Sequence, residues 1–452
     1  MTTEPLDIGH RLELFTDDYL IARLDGVAHM LHPPQPCGPV IAFDAPWEGA
    51  TSAYVTILED GGRYRMYYRG SGAEGAPEVT CYAESDDAIA WHKPALGLHE
   101  FAGSHANNII WTGYGSHNLT PFLDTGPAST PDTRYKAVGG TGHVGTGLIA
   151  LASPDGIHWR RWQEEPLAVA GAFDSQNVPF WDAVRGCYAL YLRIFIDGVR
   201  AIARSTSPNF RHWSATEPVI LTGPDGAPAA PEHFYTNAAI PYPRAPHILL
   251  AFPKRFMPKH KLIASHVSSG VSDGVFLSSR DGVHFDYRFR EAFLRPGREW
   301  QNWTERNNMV ARGLVATAPD QLSLYYSRHY HHATNHLERG VVRTDGFVSL
   351  HAGWPAGEVV TKPLRVSGAR LLLNYATSAA GSVQVEVQSP DGTPLPGYTL
   401  AEGAELYGDE IADAARWAAG DDLSPLRERV VRLRFRLADA DLYAMRWADG
   451  EE

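Results

Sequence analysis

Apolar and polar residues alternate in short runs along most of the chain, and the runs are bounded by Gly, Asp, Asn and Pro. A period of two predicts strands with one buried face, not helices. The runs come in groups. "AYVTILED", "RYRMYYRG", "VTCYAES" and "AWHKP" fall within 53–94, and "NLTPFLD", "RYKAVGG", "GLIALAS" and "HWRRW" within 118–162. Similar groups span 177–215 and 236–288, and a fifth, ending in "FVSLHAG", spans 308–353. Four strands repeated five times predict an all-β chain with a five-bladed β-propeller over 1–355. The opening "LFTDDYLIARLDGVAHMLH" is expected to pack against the propeller or to help close it.

Past about residue 355 the alternation continues in "TKPLRV", "RLLLNYA", "GSVQVEVQ" and "VVRLRFRL", but the grouping stops. A C-terminal β-sandwich over 356–452 is the expectation. Within it "GDEIADAARWAAG" (408–420) has helical character, and "GDDLSPLRERVV" reads as a loop feeding a strand.

One small turn recurs among the groups. It reads "ESDDAIAW" up to Trp91, "SPDGIHW" up to Trp159, "STSPNFRHW" up to Trp213 and "SSRDGVHF" up to Phe285. Asp155 can accept backbone N–H bonds, Gly156 permits positive φ, and Trp159 returns an aromatic ring to the sheet. The intervals of 68, 54 and 72 residues suit blades with unequal loops better than a strict solenoid. The turns are read as outer fasteners, not as catalytic elements.

Composition narrows the function classes. Hydrophobic residues make up 44% and charged residues 20%, a globular balance. A net charge of -12 argues against a nucleic-acid partner, which needs basic patches. The start lacks a basic, apolar leader, and no apolar run is long enough to cross a bilayer, so a cytoplasmic protein without a membrane partner is expected. Cys37, Cys81 and Cys187 follow no metal or redox spacing. The histidines of "SRHYHHATNH" (His329, His331, His332, His336) match no tight ligand template and read as a surface loop, so neither metal nor cofactor is expected. No pattern points to a particular oligomeric state.

In a propeller the starts of the innermost strands crowd polar groups into one pocket. Those starts read "PWEGATSAY", "GSHNLTPF", "FDSQNVPFW", "EHFYTNAAIPY" and "WTERNNMV". They carry four carboxylates, Glu48, Asp174, Glu232 and Glu305. Several carboxylates in one cavity are what glycosidic cleavage uses, one as acid and one as nucleophile or base. His117, Asn118, Asn177, Tyr235, Asn237, Arg306 and Asn307 stand nearby as candidate sugar contacts, though an Asn before a strand also serves as a turn cap. The second strands end near Arg69, Lys136, Arg193, Lys254, Arg255 and Arg328. These either favour an anionic sugar or pair with carboxylates and face solvent. Asp17 and Asp18 are further acids, with capping as the alternative.

"LFTDDYLIA", "PWEG", the Asp-Gly turns and "RTDGFVSLHAG…TKPL" together resemble uncharacterised bacterial proteins related to glycoside hydrolase families 32 and 43. The resemblance implies a five-bladed propeller followed by a β-sandwich, and a glycosidase. Family 32 enzymes place their nucleophile in an Asn-Asp-Pro-type motif and a stabilising Asp in an Arg-Asp-Pro motif. Neither triplet occurs here, so invertase-like or fructan-cleaving activity is not implied. Glu48 best occupies the first position, and the second offers His117 and Asn118.

The expected function is a glycoside hydrolase acting on terminal or small sugar units, with Asp174, Glu232, Glu305 and Glu48 as candidate acid and base. A non-catalytic carbohydrate-binding propeller is the alternative, as is a lyase or phosphorylase.

Overall fold

The computed structural model describes residues 4–72, 76–142 and 147–450. The protein is all-β, and single 3-10 turns at Pro131–Thr133, Trp300–Asn302 and Ser424–Leu426 are the helical elements among the described residues. Contacts divide the chain into two units, Pro34–Val341 and Met1–Pro33 with Val342–Glu452. That division differs from a boundary at 355, because Val348–Ala352 pairs with Ala28–Leu31 and with Val430–Ala448.

In Pro34–Val341 successive antiparallel sheets follow chain order. The first runs Ala53–Asp60, Arg63–Gly70, Val79–Ser85 and Ile109–Thr112. The second runs Thr120–Leu123, Tyr135–Gly139, Ile149–Ser153 and Arg160–Arg161, and the third Val178–Asp182, Cys187–Ile196, Val199–Ser207 and Glu217–Pro218. The fourth group is split. "HILLAFPKRF" breaks after Ala251, where Pro253 removes a ladder donor, and resumes as Lys254–Met257 between His233–Phe234 and Val271–Gly274.

The last sheet corrects an expectation. Its fourth strand is not "FVSLHAG" but Gln35–Ala42, which pairs with His336–Arg343. An early strand thus completes the final sheet. "LFTDDYLIARLDGVAHMLH", expected to pack against the propeller or to help close it, gives Ile21–Asp25 and Ala28–Leu31 to the sheet of the other unit. The first and last sheets also meet directly, where Ile57 N donates to Arg312 O (2.8 Å) and Arg312 N to Val55 O (3.0 Å).

The repeated turns tie neighbouring sheets. Asp155 Oδ1 accepts from Ile157 N (2.9 Å) and His158 N (2.8 Å), while Gly156 at φ +77° lies against Tyr67 of the first sheet. Tyr191 of the third sheet donates to Gly282 O (2.6 Å), and Tyr325 of the last donates to Ala88 O (2.5 Å). Phe122 of the second packs on Phe210 at 5.5 Å. At all four turns the residue after the Asp or Asn, Ala88, Gly156, Phe210 or Gly282, has positive φ.

In the other unit two 19-residue strands, Arg370–Gln388 and Val430–Ala448, pair along their length with a register shift between Thr377 and Ser382. Gly381 sits there because a Cβ would come within 2.3 Å of Asp439 O. Phe15, Trp417, Phe435 and Trp447 anchor the core of this unit. The stretch with helical character makes a strand instead, Asp409–Ala414, paired with Arg370–Gln388. The sheet edge there offers a ladder to its backbone, which outweighs the helical preference of its alanines.

Candidate active site

Within Pro34–Val341 a cavity of about 680 Å³ is walled by Asp174, Arg193, Arg200, Tyr235, Glu305, Arg306 and His331. Five of these were expected from the sequence; Arg200 was not, and His331 belongs to the histidine run.

Asp174 precedes its strand on a bend held from both sides. Asn177 Nδ2 donates to Phe173 O (3.0 Å) and Ser175 O (3.1 Å). Asn118 Nδ2 donates to the same two carbonyls at 2.7 and 2.6 Å. Both asparagines are buried and clamp backbone. They aim Asp174 without reaching the cavity themselves.

His117 Nε2 lies 3.0 Å from Asp174 Oδ1, and its Nδ1 lies 2.6 Å from Glu78 Oε2. Two carboxylates accept only if both ring nitrogens donate, which describes an imidazolium. Burial opposes that charge, yet the hydrogen bonds to Asp174 and Glu78 outweigh it and raise the His117 pKa. The bond from His117 in turn lowers Asp174 to about 2. Arg69 is buried beside them, 3.5 Å from Glu78 and bonded to Thr51 O (2.5 Å) and Tyr330 Oη (3.1 Å).

Elsewhere on the wall, Glu305 stands between two imidazoles. Its Oε2 is 2.7 Å from His266 Nε2 and its Oε1 3.3 Å from His331 Nε2. Burial keeps His331 below the usual histidine range. The backbone here is strained, with Arg306 at φ +65°, Asn308 at +58° and His331 at +70°, conformations costing on the order of 1–3 kcal/mol each. Asn307 secures the facing segment by accepting Tyr330 N (2.8 Å). Asn307, too, is a clamp.

His266 arrives on the loop 258–270, which joins Lys254–Met257 to Val271–Gly274. Gly270 N closes the loop onto His260 O (2.8 Å). Only glycine fits there, because φ is +112° and a Cβ would meet the Phe256 ring at 2.1 Å. Val267, Ser268 and Ser269 of this loop line the cavity.

Other candidates lie elsewhere. Glu48 is buried against Tyr68 Oη (2.6 Å) and Lys93 Nζ (2.6 Å). Glu232 lines a separate cavity of about 670 Å³ and pairs with Arg290 (3.0 Å) and Tyr287 (2.8 Å). Asn237 bonds Tyr191 O (3.3 Å) and Ala239 N (3.1 Å). Arg328 bonds Glu338 (2.8 Å) and Asn308, Lys136 pairs with Asp124, and Arg255 with Asp273 (2.6 Å). His329 faces Glu299 and His336 faces Thr334 O. Asp17 and Asp18 belong to the other unit, where Asp17 accepts from Tyr19 N (3.0 Å). Among the described residues no group of three His, Cys, Asp or Glu is placed to hold a metal ion, and no helix is long and apolar enough to cross a membrane.

No protein-family model matches this chain. No curated protein matches it either. Solved structures that resemble it include a complex of BT0996 with RGII, with 12% identity and TM-score 0.47 over 70% of this chain and 93% of that one. An N-acetylgalactosamine deacetylase from F. plautii in complex with blood group B trisaccharide has 12% identity and TM-score 0.45, covering 71% and 95%. A glycosyl hydrolase from Bacteroides ovatus has 16% identity and TM-score 0.41, covering 69% and 93%.

Proposed function

We propose that Pro34–Val341 is a five-bladed β-propeller, that the other unit is a β-sandwich, and that the protein is a glycoside hydrolase working through Asp174 and Glu305. One observation carries the proposal: two carboxylates share the wall of one cavity, and histidines hold each of them. The cavity volume falls within the range of about 300–1,000 Å³ usual for small-ligand sites.

Asp174, kept ionised by His117, either takes a proton from the water that attacks the anomeric carbon, or attacks that carbon itself, the glycosyl ester then being opened by a water that Glu305 deprotonates. Glu305 gives its proton to the glycosidic oxygen as the C–O bond breaks, and His266 is placed to restore it. Tyr235 and Arg306 position the sugar. Glu48 and Glu232, which are spent on ion pairs outside this cavity, have no part in the step.

The test is release of the phenol from aryl glycosides and of shortened products from short oligosaccharides, with and without added phosphate. Turnover independent of phosphate supports hydrolysis. Turnover that requires phosphate makes the protein a phosphorylase, a second reading favoured by the arginines on the wall. Sugar binding without any turnover makes it a binding module.

A further inference from the structure

Four cations surround the ring of Tyr235. Lys254 Nζ lies 3.8 Å from its centroid, and the guanidinium carbons of Arg193, Arg200 and Arg306 lie at 4.9, 5.3 and 5.8 Å. None of the four makes an ion pair with a carboxylate among the described residues. Arg306 donates to Tyr330 Oη (3.1 Å), and Arg200 contacts His233 (3.4 Å). Lys254 Nζ and Arg193 Nε are buried without a hydrogen-bond partner. The nearby acids are already engaged, Asp174 by His117 and Glu305 by His266 and His331.

This arrangement is costly by itself. Buried cations without partners lose hydration and repel one another. Burial, and then Arg193, hold Arg200 below the usual arginine range; burial, and then Arg306, hold Lys254 well below its own, while Tyr330 and Tyr235 raise Arg306 against its burial. A chain with net charge -12 has no shortage of carboxylates to neutralise such a cluster, yet none pairs with it among the described residues. An oxyanion from the ligand relieves both costs, and a guanidinium fork matches its geometry.

We propose that the cavity takes an anionic sugar, a unit bearing a carboxylate or sulfate group, and that Arg193, Arg200 and Arg306 hold that group while Lys254 supports it from behind Tyr235. The proposal rests on the cavity being the sugar site proposed above. Arg193 and Arg200 reach it from one hairpin, Cys187–Ile196 with Val199–Ser207, where Phe195 pairs with Arg200 and Arg193 with Ile202. Side chains two apart on paired strands share a face, so the hairpin presents both arginines to the same side.

The experiment is isothermal titration of the full-length protein with glucuronate, galacturonate, galactose 6-sulfate, glucose, galactose and inorganic phosphate. The expected result is at least tenfold tighter binding of an acidic sugar than of its neutral counterpart. Preference for the uronates or for the sulfate identifies the group. Arg200→Gln, at a half-exposed position, and Arg193→Gln should each lose tenfold or more for the acidic sugar and much less for its neutral counterpart, so that the preference collapses; a melting curve checks that each is folded. Equal affinity for acidic and neutral sugars overturns the proposal, as does tight binding of phosphate with no binding of acidic sugars. The hydrolase reading fails separately. Acidic sugars that bind while no glycoside is cleaved leave the anion site standing, and cleavage of neutral glycosides without anion preference does the reverse.

Discussion

His117 and Asp174 are 57 residues apart in sequence, and 3.0 Å separates Nε2 of one from Oδ1 of the other. Because Glu78 takes the second ring nitrogen, the imidazole stays charged and Asp174 stays ionised, with a pKa of about 2. His117→Asn removes the charge. The acid limb of the kcat/KM–pH profile should then move up by about 1 pH unit or more, because Asp174 titrates closer to its ordinary value. An unchanged acid limb in a folded variant removes His117 from this role.

His266 ties the loop 258–270 to Glu305. In His266→Ala that tie is lost, and kcat should fall by roughly tenfold or more as proton return to Glu305 slows. Trypsin offers a second measure. Lys259 and Lys261 are exposed on the loop, so cleavage there should be faster in the variant if the bond holds the loop closed.

The turn at Asp155 should affect stability and not chemistry. Asp155→Ala removes an acceptor for two backbone N–H groups and is expected to cost about 1 kcal/mol. Gly156→Ala should cost more, on the order of 1–3 kcal/mol, since φ is +77° and the new Cβ would lie 2.5 Å from Tyr67 Oη. Both variants, once folded, should keep wild-type kcat. The pH dependence follows the same bonds. Asp155 and Asp281 are lowered to about 2, burial opposing and the bonds to His158 and His284 prevailing. Their contribution is present above about pH 4 and lost as pH falls toward 2, so acid melting should be less steep in Asp155→Ala.

Lys254 is a liability when no anion is bound. Its folded pKa is depressed, so the unfolded chain binds the proton more tightly and stability is lost at any pH below about 10.4. Lys254→Met should therefore raise the melting temperature at pH 7, each unit of depression corresponding to about 1.4 kcal/mol. The gain should shrink as pH approaches 10. A variant that melts lower at pH 7 contradicts the assignment.

Strand grouping, turn chemistry and the gathering of Asp174, Glu305, Tyr235, Arg193 and Arg306 were legible in the sequence, because each follows from alternation and from position before or along a strand. Arg200 was missed: it lies on the strand after the Asp197-Gly198 turn, and the pairing of Phe195 with Arg200 brings it to the face of Arg193. Glu232 was not separable from Tyr235 by adjacency alone. The two are three positions apart, and a strand sends such residues to opposite faces, so one lines the cavity and the other does not. Glu78 and His266 left no local signal. Glu78 precedes the third strand of its group and His266 lies in a loop, so neither is at the start of a first strand, and only tertiary folding brings each to its partner.

The most direct measurement is kcat for Asp174→Asn and Glu305→Gln on whichever glycoside the wild-type protein cleaves, with Glu232→Gln alongside. Both cavity variants should remain folded, bind the sugar and lose about 100-fold or more in kcat, while Glu232→Gln keeps turnover. Wild-type kcat in folded Asp174→Asn or Glu305→Gln, or its loss in Glu232→Gln alone, would place the chemistry elsewhere.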